Sequence, residues 1–114
     1  MDEQQGPDDL DALIAAPQHH KLLFENDFVR VLDAKIPAGE ITNVHTHCYP
    51  ASLYFISWSD FIRYDAEGNV LLDSGSLEKA PSPGAATWSN PLPPHALKNI
   101  GTEDLHVISV EIKK

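Results

Sequence analysis

The sequence predicts an all-β protein, an antiparallel sandwich or barrel preceded by one short helix. Three observations point there. Beyond Gln18 the chain breaks into nine short, largely apolar runs, the texture of many strands rather than of strands alternating with helices. The segments between them carry turn chemistry, as in Asn26-Asp27, Pro37-Ala38-Gly39, Asp65-Ala66-Glu67-Gly68-Asn69 and Gly101-Thr102-Glu103-Asp104. At 114 residues and 42% hydrophobic content, the chain can bury one core but not two.

Taken in order, residues 1–18 read as an acidic tail and a short helix, and 19–114 as the barrel. Residues 1 to about 7 are polar and broken by Gly6-Pro7, so they are expected to add little to folding. Asp8 is the expected N-cap of a helix that ends before Pro17. Leu10, Leu13 and Ile14, at i, i+3 and i+4, would form the stripe that docks it. Strands are expected over 21–25, 28–36, 42–47, 53–56, 61–64, 70–73, 85–88, 96–99 and 105–112. Several, such as Phe28-Val29-Arg30-Val31-Leu32, lack clean alternation, as strands covered on both faces do. A homodimer is the expected outer cover, with the N-terminal helix or burial within one subunit as alternatives.

Charge and composition exclude several functions. The net charge of −9 argues against nucleic acid or an anionic membrane as partner. Asp2, Glu3, Asp8, Asp9 and Asp11 all precede the first basic residue, Lys21, so much of the excess is local. No apolar run reaches the roughly 18 residues of a membrane helix. Met1-Asp2-Glu3-Gln4-Gln5 has neither region of a secretory signal. The single cysteine, Cys48, permits no intrachain disulfide and fits a reducing compartment. A cytoplasmic location is expected.

The informative stretch is Gly39-Glu40-Ile41-Thr42-Asn43-Val44-His45-Thr46-His47. Alternation along a strand puts His45 and His47 on one face, Cα atoms roughly 6.5–7 Å apart. Two imidazoles so placed can converge on one ion at about 2.0–2.1 Å. Glu40 has the opposite parity and should face away. Cys48 does too if the strand continues, and a lone cysteine is more often a small buried apolar residue than a ligand. Asp33 and Glu111 lie on other strands, beyond the reach of parity arithmetic. His19-His20 read as an exposed pair at the domain edge, and His106 as part of a half-buried strand.

A second stretch, Gly84-Ala85-Ala86-Thr87-Trp88-Ser89-Asn90-Pro91-Leu92-Pro93-Pro94-His95-Ala96-Leu97-Lys98-Asn99, completes a pattern. Together the two resemble the paired motifs of the cupin superfamily. In the first motif, G-x5-H-x-H-x4-E-x6-G, Gly39, His45 and His47 match, while Ser52 replaces the glutamate and Ser59 the second glycine. In the second, G-x5-P-x-G-x2-H-x3-N, Gly84, His95 and Asn99 match, while Asn90 and Leu92 replace the proline and glycine.

The resemblance implies a double-stranded β-helix (jelly-roll) barrel with one divalent metal held by His45, His47 and His95. The usual fourth ligand is missing. Some cupins with three histidines and no acid use Fe(II) and O₂ to cleave carbon–carbon bonds or oxidise thiols, so Fe(II) is favoured over Zn, Ni or Mn. The expected function is a metal-dependent dioxygenase acting on a small molecule. A non-catalytic metal- or ligand-binding cupin and a metal-assisted isomerase or lyase are the alternatives. Trp88, Tyr54, Arg63 and Ser52 are the expected pocket walls, although packing explains Trp88 equally well and Tyr54 and Arg63 better.

Overall fold

The turn residues and inward apolar side chains fold the chain into two facing antiparallel sheets. The computed structural model describes residues 9–77 and 82–114. Its elements run α1 (Ala12–Ala15), β1 (His20–Glu25), β2 (Val29–Ile36), β3 (His45–His47), β4 (Ala51–Ser57), β5 (Phe61–Asp65), β6 (Val70–Asp73), β7 (Ala86–Ser89), β8 (Leu92–Asn99) and β9 (Leu105–Ile112). The larger sheet has the order β1-β2-β9-β4-β7 and the smaller β3-β8-β5-β6. No described helix is long and apolar enough to cross a membrane.

Every expected strand is present; most ends fall within two residues of expectation, and two move further. β3 contracts to three residues. β8 begins earlier than expected, at Leu92, and takes in Pro93 and Pro94. Prolines have no N–H to give a ladder. They fall where the β3–β8 pairing jumps from His47↔Leu92 to His45↔His95, so the irregularity absorbs both.

The helix differs from expectation. It is four residues long, and its cap is Asp11, whose carboxylate accepts from Leu13 N at 3.1 Å. Asp8 lies outside the described residues. The buried positions are Ala12 and Ala16, while Leu10 and Ile14 are exposed. A helix pressed close against β1 and β3 takes small residues at i and i+4, and the longer side chains go to the rim.

Inward residues on the larger sheet follow a strict alternation. Arg30, Leu32, Ala34 and Ile36 on β2 lie across from Glu111, Ser109, Val107 and Leu105 on β9, which in turn face Ala51, Leu53 and Phe55 on β4. One end of the barrel is apolar, closed by Ile36, Phe55, Phe61, Leu105 and Val107. The other end is polar. Asn99 seals the apolar end from outside with four hydrogen bonds. It donates to Ile36 O and Glu103 O, and accepts from Ser59 Oγ and Gly101 N, so a fully buried amide leaves nothing unpaired. Gly39 and Gly84, the first glycines of the two motifs, both have φ near +85°, at 83° and 86°, where a Cβ would be strained.

Candidate metal centre

The polar end is built on histidines. His45 and His47 come from β3, and His95 on β8 is the cross-strand partner of His45. Directly paired residues bring their side chains together, and the His45 and His95 ring centroids are 4.4 Å apart. Those of His45 and His47 are 5.0 Å apart, and those of His47 and His95 5.5 Å. The three motif histidines therefore cluster by ring, but His95 is not among the histidines whose ligand nitrogens all lie within 4.8 Å of one another.

A fourth ring joins them. His20 opens β1, pairs with the inward Ala34, and is buried. Its centroid lies 4.6 Å from His45 and 5.4 Å from His47. The ligand nitrogens of His20, His45 and His47 all lie within 4.8 Å of one another. Placing His20 at an exposed edge is thus corrected: α1 folds over that edge, and Ala16 O takes the His20 ring nitrogen.

The protonation pattern follows from the partners. The Nδ1 atoms of His20, His45 and His95 lie 3.0, 2.7 and 2.8 Å from the carbonyls of Ala16, Asn43 and Pro93. A carbonyl only accepts, so each Nδ1 bears the proton and each Nε2 keeps a lone pair. His47 Nδ1 lies 3.2 Å from Glu111 Oε2, and the carboxylate selects the same tautomer. Burial first, and then mutual repulsion among the rings, depress the pKa values. They fall to about 3 for His20, about 3 for His45 and about 4 for His95. These rings are neutral at neutral pH, the form in which imidazole binds a metal.

Behind them lies a buried charge chain. Arg30 donates from Nε to Glu111 Oε1 at 2.7 Å, and from its two terminal nitrogens to Asp11 at 2.7 and 3.1 Å. Burial opposes its charge, but the bonds to both acids prevail and hold its pKa above the ordinary value. Two carboxylates against one guanidinium leave one net negative charge directly behind His47. The acid that the motif lacks as a ligand is therefore present one residue further out. Glu111 had a legible signal: it shares parity with Leu105, Val107 and Ser109, and a charged residue on a buried face needs a partner.

The other candidate residues separate. Arg63, on the inner face of β5, lines the cavity of about 110 Å³ that His45, His47 and His95 open into. Trp88 is largely exposed and stands at the rim of a neighbouring cleft. Ser52 and Tyr54 are not walls of the cavity. Ala51 and Leu53 face it, so Ser52 and Tyr54 point outward across from Val110 and Ile108. Motif spacing had put Ser52 inside, but β4 starts at Ala51 after Pro50, which sets the opposite parity. Glu40 is exposed and accepts from His19, and His106 pairs with Asp33 on the outer face. Cys48 is not among the converging nitrogens, and burial raises its thiol pKa.

Solved structures share this architecture. A cupin domain from Bordetella pertussis aligns with a TM-score of 0.63 at 17% identity, over 83% of this chain and 92% of that one. An RmlC-like cupin family protein with a double-stranded β-helix fold, from Methanocaldococcus jannaschii, gives 0.56 at 14% identity over 82% and 77%. A conserved protein with a double-stranded β-helix domain from Klebsiella pneumoniae gives 0.56 at 18% over 82% and 75%. At such identities what is shared is the fold, and the chain has the cupin double-stranded β-helix. No family model matches the sequence, and no curated protein matches it.

Proposed function

We propose that the protein is a mononuclear divalent-metal cupin in which His45, His47 and His95, joined by His20, hold the ion. We further propose that it acts as an Fe(II)-dependent dioxygenase on a small organic molecule. One observation carries the metal reading: four clustered imidazoles, each with Nδ1 engaged by an acceptor and Nε2 left with its lone pair. The ligand nitrogens of His20, His45 and His47 lie within 4.8 Å of one another, and lone pairs that close repel unless a cation lies between them.

A bound divalent ion supplies Lewis acidity and, as Fe(II), reactivity toward O₂. The chain's residues do the remainder. Carbonyls of Ala16, Asn43 and Pro93 fix three rings, and Glu111 fixes the fourth. The Asp11–Arg30–Glu111 chain sets one negative charge behind His47, which favours a cation in front of it. Ile36, Leu53, Leu97, Leu105 and Val107 keep the inner wall of the cavity dry. Glu111 is the one carboxylate among the described lining residues, and Arg30 and His47 both engage it. With no free carboxylate as general base, an oxygenase is favoured over an isomerase or lyase. The proposed setting is the reducing cytoplasm.

The test is metal titration of untagged protein, followed by oxygen uptake with β-diketones, thiols and catechols. One equivalent of Fe(II) should bind, with Zn(II), Ni(II) and Mn(II) as comparison ions, and at least one substrate class should consume O₂. His45→Ala, His47→Ala and His95→Ala should each abolish most metal binding while circular dichroism stays unchanged. Stoichiometric metal retained by His95→Ala would overturn the ligand set. Tight metal binding without oxygen uptake would leave a binding protein.

A further inference from the structure

The chain has two arginines, and both turn inward. Their surroundings are opposite. Arg30 is saturated by Asp11 and Glu111. Arg63 has no acidic partner among the described residues, and its buried Nε has no hydrogen bond. Two acids, one on its own strand and one lining the same cavity, are already engaged. Asp65 turns into its own β-turn to accept from Glu67 N and Asn69 N, and Glu111 belongs to Arg30 and His47. Burial depresses the pKa of Arg63, and its described contact is with the ring of Phe61, whose centroid lies 5.8 Å from Cζ. A half-buried guanidinium with an unsatisfied buried Nε, set beside a cavity, is suited to an anionic ligand.

Its position says which kind. Arg63 pairs across the sheet with Leu97, two residues from His95, and close enough to lower the pKa of that ring. It lines both the histidine cavity and a wider cleft of about 510 Å³. That cleft is walled by Phe55, Phe61, Trp58 and Leu77, with Trp88 at its rim. Trp58 packs edge-on to Phe55 and to Phe61, with ring centroids 5.4 and 5.6 Å apart, so the aromatic wall is continuous.

We infer that the site takes a small carboxylic acid with an apolar body, the carboxylate paired with Arg63 and the body lying in the aromatic cleft. A planar guanidinium matches a carboxylate through two parallel hydrogen bonds. The end of the molecule beyond the carboxylate then faces the histidines. Only that last placement rests on the metal reading above; the anion subsite does not.

Both tryptophans of the chain line this cleft, so intrinsic fluorescence reports its occupancy. Phenylacetate and phenylacetamide, identical but for the charge, are titrated into EDTA-treated and Co(II)-loaded protein. Phenylacetate should bind at least about tenfold more tightly than the amide in both forms. Arg63→Met should erase the difference, and Arg63→Lys should keep part of it. The melting temperature of Arg63→Met should not fall, because no partner is left orphaned. Equal binding of acid and amide by wild type would overturn the inference, as would a preference that survives Arg63→Met. A melting temperature lowered as far as in Arg30→Met would mean that the chain itself pairs Arg63. Cobalt absorbance in the same samples reads the metal centre separately: loss of the metal with an intact acid preference removes only the metal reading.

Discussion

Single residues decide the charge balance of the site. The folded-state pKa values of His20, His45 and His95 lie below the ordinary 6.5. Between those values and 6.5 the unfolded chain binds protons that the folded chain refuses, so metal-free protein loses stability as pH falls through this window. Each such group contributes a slope of ~1.4 kcal/mol per pH unit. Thermal melts from pH 7 to 5 should show the loss, and His20→Gln should flatten it by about one group's share. An unchanged slope would place His20 in water. At position 52 the expectation is a null effect. Because Ser52 faces outward, Ser52→Glu should leave cobalt affinity unaltered, and a tighter complex would put that residue back inside the barrel. The residue scale is also where the sequence was most and least informative. His45, His47 and His95 were legible because two lie on one strand at period two and the third sits in a recognisable spacing. His20 was not, since nothing in Gln18-His19-His20-Lys21 reveals that a helix will close over it.

At the scale of elements, α1 matters more for its cap than for its apolar residues. Asp11 caps the helix and also receives two bonds from Arg30. Asp11→Ala should therefore destabilise by about 2 kcal/mol or more, from the lost cap and the two hydrogen bonds that Arg30 then leaves unmade. Ile14→Ser, at an exposed position, should change stability by less than about 0.5 kcal/mol. Urea denaturation of the two variants separates the cases, and equal losses would restore the leucine and isoleucine stripe as the docking surface. The helix was foreseen from spacing, but spacing cannot register how near a neighbouring strand will approach. The strands were easier to read. Their alternation survives in β9, whose odd-numbered residues are buried and even-numbered ones half-buried, and β3 was misjudged only in length.

At the scale of the whole molecule, the larger sheet presents an apolar outer face. Val29, Val31, Ile108, Val110 and Ile112 are half-buried there, with Phe24, Tyr54 and Ile56 more exposed beside them. The helix was one candidate to cover it, but α1 packs against β1 and β3 at the barrel mouth. We propose a second copy of the chain as its cover, with partial burial within one subunit as the alternative, since broad apolar faces mark interfaces. Light scattering should give twice the 12.6 kDa of the chain, and Val110→Glu should return it to one. A wild-type monomer would end that proposal. The order of the strands carries a further consequence, one of time. The last strand in sequence, β9, is the middle strand of the larger sheet, bonded to β2 on one side and β4 on the other. It also delivers Glu111 to Arg30 and His47. As a ribosome makes this chain, β1, β2, β4 and β7 all emerge before the strand that unites them, each half of the sheet with an unpaired edge. The larger sheet cannot assemble piecemeal from its beginning; it waits for residues 105–112, which join its two halves and bring Glu111 up behind His47.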